Sequence, residues 1–484
     1  MLVNKKIAMF MSNNIIVFKG IAFNSIALYL VTLICVSVVF IPYEMKWNWI
    51  LFGLVSVFGF FCGSFITLKK WQLLEFKRFR RNLFCTALII RLVYVFVSYA
   101  IYIGMSGSPL GESAIDTIFY DSLGKFGADL ITEGNFSFVS EFSNKYGVGV
   151  SDTGYGVYLS FLYYLTSDSI LFVRLLKAVL GAWSCVLIYQ LSSRNFGEYI
   201  GKIAAIFCML MPNLIYYCGL HLKEIEMVFL VVLFAERADL LLRKSKIDIK
   251  LLLISFFIGL LLFTFRTVLG AVIFMALFTS ITMTTNKIID SGRKIIFGFL
   301  FVFFVSFAIG GRVTQEVETL LEAGATNQEN SMKFRSERKG GNSFAAYASA
   351  AVFAPMIFTI PFPTMIETPN QDNQRWIHGG NFVKNITSFF TIIALFTLLI
   401  SGKWRKHILL IALPLGYLFV IAFSGFAHSE RFHLPALPFS LIFAAYGVCV
   451  LKSKHKKLFV VWMIFLFFSI IAWSWFKLAG RGLL

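Results

Sequence analysis

Continuous apolar runs separated by short polar segments recur along the whole chain. A bilayer core calls for about 20 mostly apolar residues per helix. Thirteen runs approach that length: 21–41, 48–68, 83–104, 170–192, 203–217, 225–241, 251–264, 268–284, 295–311, 386–401, 408–424, 433–451 and 458–476. The runs do not alternate polar and apolar positions, which excludes a transmembrane β-barrel. The pattern predicts an all-α polytopic membrane protein with about 13 transmembrane helices. No small-residue cleavage site follows the first run, so 21–41 is expected to be a retained anchor.

Two connecting segments are long, 105–169 and 312–385, and the rest are short. They divide the chain into 1–82 (two spans and a basic loop), 83–311 (a core of spans carrying the loop 105–169), 312–385, and the C-terminal spans of 386–484. The first loop is rich in aromatics, and its stretch Tyr155–Leu165 predicts a helix lying at the membrane interface. The second opens with an acidic helical stretch, Gln315–Glu322. It continues through a basic turn, Lys333–Gly341, an apolar piece, 344–360, and a proline-punctuated stretch ending at Pro369.

Composition agrees with this reading. Of 484 residues, 58% are hydrophobic and 14% charged, 56 are Phe, and mean hydropathy is +0.78. Soluble domains carry roughly 25% charged residues, so a soluble enzyme, a disordered chain and a nucleic-acid-binding domain are excluded. The seven cysteines lie in or beside apolar runs without CxxC spacing and read as packing residues.

The net charge of +19 adds sidedness. With the N-terminus inside, alternation of the thirteen runs gives the inner segments 26 basic and 6 acidic residues, and each has at least two bases. The positive-inside rule supports that orientation. The outer face is then slightly acidic, so its few cations are informative.

Walker A, GxSxG, HExxH and nucleotide-binding GxGxxG motifs are absent. The candidate chemistry lies in polar residues at the outer face. Asp116, followed closely by Tyr120 and Asp121, opens the first loop. It reads as a general base or as a solvated acid near a helix start. Lys223 and Glu224 lie between two spans and read as a phosphate- and hydroxyl-binding pair or as snorkelling side chains. Arg266, Arg375, His378 and Arg431 are outer-face groups where cations are disfavoured. They suit an anionic ligand or pairing with the outer acids. Arg91, Arg174 and Lys177 fall within runs, where charge is costly. No histidine spacing suggests zinc; a divalent cation stays open as a cofactor.

The order of these elements resembles the GT-C superfamily of membrane glycosyltransferases, particularly the protein O-mannosyltransferases and the lipid A aminoarabinose transferase. The likeness is carried by Asp116-Thr-Ile-Phe-Tyr120, the interfacial segment from Asp152, the Arg174-containing span Val173–Gly181, Arg194-Asn-Phe-Gly197, Met211-Pro-Asn-Leu-Ile-Tyr216 and Arg431-Phe-His-Leu-Pro435-Ala-Leu-Pro438. It covers mainly 83–230 and 425–450. The loop 312–385 has no counterpart. The resemblance implies a donor sugar on a polyprenyl phosphate, presented at the outer face of a bacterial inner membrane, and a cell-envelope glycan or lipid as acceptor. It further implies that Asp116 deprotonates the acceptor hydroxyl for direct inverting attack, and that Lys223, Arg266 and Arg431 hold the leaving phosphate. Two rivals share the layout: an O-antigen- or capsule-type polysaccharide polymerase using pyrophosphate-linked repeat units, and a lipid-linked glycan transporter.

Overall fold

The computed structural model describes residues 2–111, 115–244, 248–283, 324–338, 341–369 and 372–484. Among the described residues there are helices and no strands. In chain order they are α1 (Leu2–Val39), α2 (Trp47–Trp71), α3 (Phe76–Ser106), α4 (Ile115–Thr132), α5 (Phe138–Tyr146), α6 (Val150–Thr166), α7 (Ile170–Phe196), α8 (Glu198–Leu210), α9 (Pro212–Tyr216), α10 (Glu224–Arg243), α11 (Ile249–Phe265) and α12 (Thr267–Met283). There follow α13 (Gly324–Glu337), α14 (Ala350–Met356), α15 (Asp372–Ile400), α16 (Ile408–Ala422), α17 (Glu430–His433), α18 (Leu437–Cys449) and α19 (Ser453–Ala479).

Among the described residues, eight helical stretches are long and apolar enough to cross a membrane: Phe18–Val39, Trp47–Trp71, Phe76–Ser106, Ile170–Phe196, Gln374–Ile400, Lys403–Ala422, Glu430–Cys449 and His455–Ala479. They coincide with eight of the thirteen expected spans and make this an integral membrane protein. Phe23, Ile34, Ile89, Phe257, Phe468 and many other large apolar side chains point outward, a surface that water does not tolerate and lipid does.

The other expected spans differ in instructive ways. Run 203–217 is broken: α8 and the segment Pro212–Gly219 meet at a 51° bend. Pro212 supplies no backbone N–H and holds Met211 in an extended conformation, which stops α8 there. Run 225–241 is α10, which carries charges at both ends. Runs 251–264 and 268–284 are the short helices α11 and α12, 17 residues each. They pack side by side and are joined through Arg266 alone, whose backbone is extended. Run 295–311 and the acidic stretch Gln315–Glu322 lie outside the described residues.

The first long loop folds into α4, α5 and α6. α6 packs on α4 and α11 through Tyr155, Leu159 and Tyr163. The second loop is shorter than expected because α15 begins at Asp372.

Four of the expected inner segments, 69–82, 193–202, 237–250 and 402–407, meet at one end of the bundle. Arg194 pairs with Glu236 at 2.8 Å and Asp239 at 3.0 Å, Arg243 with Asp239 at 3.0 Å, and His407 hydrogen-bonds Asn195. Lys202 donates to the carbonyls of Gln72 and Leu74.

Candidate functional site

At the other end lies a cavity of about 790 Å³ that draws on six parts of the chain. The first two turns of α4 supply Asp116 and Tyr120, and the first turn of α6 supplies Asp152. The residue ahead of α10 supplies Lys223, and the α11–α12 junction supplies Arg266. The end of α16 supplies Tyr417, and α17 supplies Arg431 and Phe432. The remaining wall is largely apolar, with Val268, Val420, Ile421 and Phe426.

Two charge networks hold the polar side. Arg431 is gripped between two carboxylates, with Glu224 accepting from Nε and Asp116 Oδ2 accepting from a terminal nitrogen. Glu224 is fully buried, whereas the Asp116 side chain is 58% exposed. The inner carboxylate therefore fixes the arginine, and the outer one sits where a ligand can reach it. In the second network Asp152 Oδ1 accepts from the Lys223 ammonium and, at 2.8 Å, from the Tyr120 hydroxyl. Lys223 also donates to the Phe265 carbonyl at 2.5 Å. The adjacent residues Lys223 and Glu224 thus anchor both networks. Glu224 and Glu226, in the first turn of α10, also complement its positive dipole end.

Arg266 differs from the other two cations. Its guanidinium donates to the Tyr417 hydroxyl at 3.2 Å and lies 4.3 Å from the Phe432 ring centre. Among the described residues no carboxylate lies within ion-pairing distance of it. A half-buried arginine held by a hydroxyl and an aromatic face keeps donors for an anion.

Burial lowers Lys223 to about 8, with Arg266 adding to the fall and Asp152 opposing it. Burial, and then the charge of Asp152, pushes the Tyr120 hydroxyl upward, so Tyr120 is a neutral donor.

Six of the nine candidate residues meet here: Asp116, Tyr120, Lys223, Glu224, Arg266 and Arg431. Asp121, next to Tyr120, is turned away; it accepts from Tyr163 at 2.6 Å and pairs with Lys125 at 2.8 Å. Arg375 and His378 are also elsewhere. Expected in a loop, they occupy the first turns of α15. Arg375 pairs with Glu367 at 3.0 Å. His378 is fully buried, stacked near Tyr29, and a Cβ on Gly53 would lie 2.0 Å from its Nε2. That packing makes His378 a helix-contact residue rather than a ligand group. The cations within spans are also internally used. Arg91 donates to the carbonyls of Ala87, Cys208 and Met209; Arg174 donates to the Pro109 carbonyl; Lys177 serves Leu220 and Leu222 and pairs with Glu226 at 3.5 Å.

Asp152 and Tyr417 were not among the predicted site residues. An acid in a helix's first turn reads as dipole compensation, and Tyr417 is one hydroxyl within an apolar run. Among the described residues, no three His, Cys, Asp or Glu side chains converge as metal ligands do. No family model, curated protein or solved structure matches the chain.

Proposed function

We propose that the protein is an integral-membrane glycosyltransferase that moves a sugar from a polyprenyl-phosphate donor to a cell-envelope acceptor. The observation carrying this reading is one cavity that joins three cations, two accessible carboxylates and an apolar wall. A lipid-linked phosphate sugar has the matching parts: an anion, a hydroxylated ring and a hydrocarbon tail.

The chemistry follows from the layout. Arg266 receives the donor phosphate, with Lys223 and Arg431 beside it. These cations stabilise charge that grows on the phosphate oxygen as the glycosidic bond breaks. Asp116 accepts the acceptor hydroxyl's proton while that oxygen attacks the anomeric carbon from the face opposite the phosphate, inverting the centre. Asp116 Oδ1 makes no hydrogen bond among the described residues, so it is open to that proton. Asp152 and Tyr120 orient Lys223. The short α11–α12 pair also fits a lipid donor. Each helix is about 25 Å long against a hydrocarbon core of about 30 Å. Their junction therefore sits near headgroup depth if their other ends reach the opposite surface.

The deciding experiment is sugar transfer by purified protein from a polyprenyl-phosphate sugar. D116N is expected to lower kcat by about 10²–10⁴-fold, the usual contribution of a positioned base. Full activity in D116N would remove it from that role. The polymerase reading is favoured by a second basic pocket formed by Arg335 and Arg338. It predicts that cells lacking the protein carry surface glycan of single repeat units. Unchanged chain length with one sugar missing supports the transferase.

A further inference from the structure

The second pocket lies on the far side of the turn that carries Phe426, and the observations there are independent of sugar transfer. It is small, about 80 Å³, yet well above the ~10–15 Å³ that one water requires. Arg335 and Arg338 reach it from the end of α13, His428 from the 423–429 turn, and Lys477 and Arg481 from the end of α19. Three arginines and a lysine therefore converge on one small volume.

The three arginines are not neutralised by what surrounds them. Among the described residues, none of Arg335, Arg338 and Arg481 has a carboxylate within ion-pairing distance. The ends of α13 and α19 are negative dipole poles, each equivalent to about half a charge. Together they offset roughly one of the three arginines. The Arg481 Nε is buried without a hydrogen-bond partner.

The pocket is also built. Asn342 donates to the Phe476 carbonyl at 2.6 Å, and the Ser343 amide donates to the Gly480 carbonyl at 2.6 Å. A Cβ on Gly480 would lie 1.9 Å from Asn342 Oδ1, so only glycine lets the two segments close. Arg335 donates to His428 Nε2 at 2.6 Å, which requires a neutral imidazole with its proton on Nδ1. Burial and the neighbouring cations hold His428 in that form. Arg335 thereby has its place fixed while its other donors stay available.

We propose that this pocket is a second anion site, taking a phosphomonoester or pyrophosphate group. Arginines with no carboxylate within ion-pairing distance among the described residues, in a space the size of a tetrahedral oxyanion, match that chemistry. The group could belong to a soluble phosphate compound or to a lipid headgroup. Arg335 also lies 5.3 Å from the Phe426 ring centre, and Phe426 lines the larger cavity. The two anion sites therefore share one turn.

The test uses full-length protein and inorganic pyrophosphate. R266Q is the background, because it disables the larger cavity. In detergent, R266Q is expected to bind pyrophosphate, and adding R335Q and R481Q to weaken binding about tenfold or more, as loss of charge-assisted bonds does. R338Q, at an exposed position, is expected to lower affinity without changing the unfolding temperature. In nanodiscs, competition by phosphatidic acid over phosphatidylcholine would assign the site to a headgroup, and undiminished pyrophosphate binding to a soluble anion. Equal affinity in R266Q and the R266Q/R335Q/R481Q protein, or no binding of either probe to R266Q, overturns the proposal. Because the readout is binding, failure of sugar transfer would leave this result unaffected.

Discussion

Lys223 shows how much of a residue's role comes from its surroundings. In the sequence it is one cation between two spans, with snorkelling as a full alternative. In the fold it is buried, bonded to Asp152 and Phe265, and near Arg266. Its fall to about 8 has a direct consequence. Its cationic form is present below pH 8 and is lost as pH rises through that value. The kcat/KM for the phosphate-linked donor is expected to fall above about pH 8 and to stay level in K223R, because arginine remains charged. The same lowered value means that the unfolded chain binds more protons than the folded one between pH 8 and 10.5, so this group's contribution to stability rises with pH across that window. Glu224 belongs to this scale too. E224A leaves Arg431 short of its buried partner and is expected to cost about 3–5 kcal/mol, read as a lower unfolding temperature together with reduced kcat/KM.

At the scale of elements, helix breaks place the chemistry. Arg266 projects into the cavity because α11 stops at Phe265 and α12 starts at Thr267. Lys223 reaches it because Pro212 bends the chain away from α8. The Pro212 break falls inside the expected span 203–217, so the sequence marks it weakly, whereas Arg266 falls between the expected spans 251–264 and 268–284, where a connection is already expected. Asp116 and Asp152 occupy first turns of α4 and α6, helices that pack on each other, which brings two acids 36 residues apart in sequence to one cavity. His378 makes the opposite case. It looked like an outer-face ligand, and α15 buries it against α1 and α2. H378A is expected to lower the unfolding temperature, a loss of roughly 1–3 kcal/mol, and to leave KM for the donor unchanged. A raised KM with normal stability would return His378 to the site.

At the scale of the molecule, the two ends of the bundle carry different chemistry. One end joins Arg194, Glu236, Asp239 and Arg243 in a network within the chain. The other holds the cavity and the second basic pocket. The excess of bases in the expected inner segments proposes which end faces the cytoplasm. With the exposed Cys62 and Cys85 replaced by serine, a cysteine at Ser140 is expected to react with a membrane-impermeant maleimide in intact cells, and one at Lys250 only after permeabilisation. The reverse pattern would invert the orientation and move the donor to the cytoplasmic leaflet.

The sequence by itself determined the solvent. A chain with 58% hydrophobic and 14% charged residues in continuous runs has to fold as helices in a bilayer, and eight of those runs coincide with membrane-length helices, although α15 begins well before its expected span. It also marked most of the cavity's charged groups, because cations outside the basic inner segments stand out against the positive-inside pattern. Tertiary structure decided which of them share a site. Asp152 and Lys223 are 71 residues apart, Glu224 and Arg431 207, and Asp116 and Arg431 315. No local periodicity encodes such pairings. They depend on which helix faces pack, and hence on where Pro212 and the α11–α12 junction turn the chain.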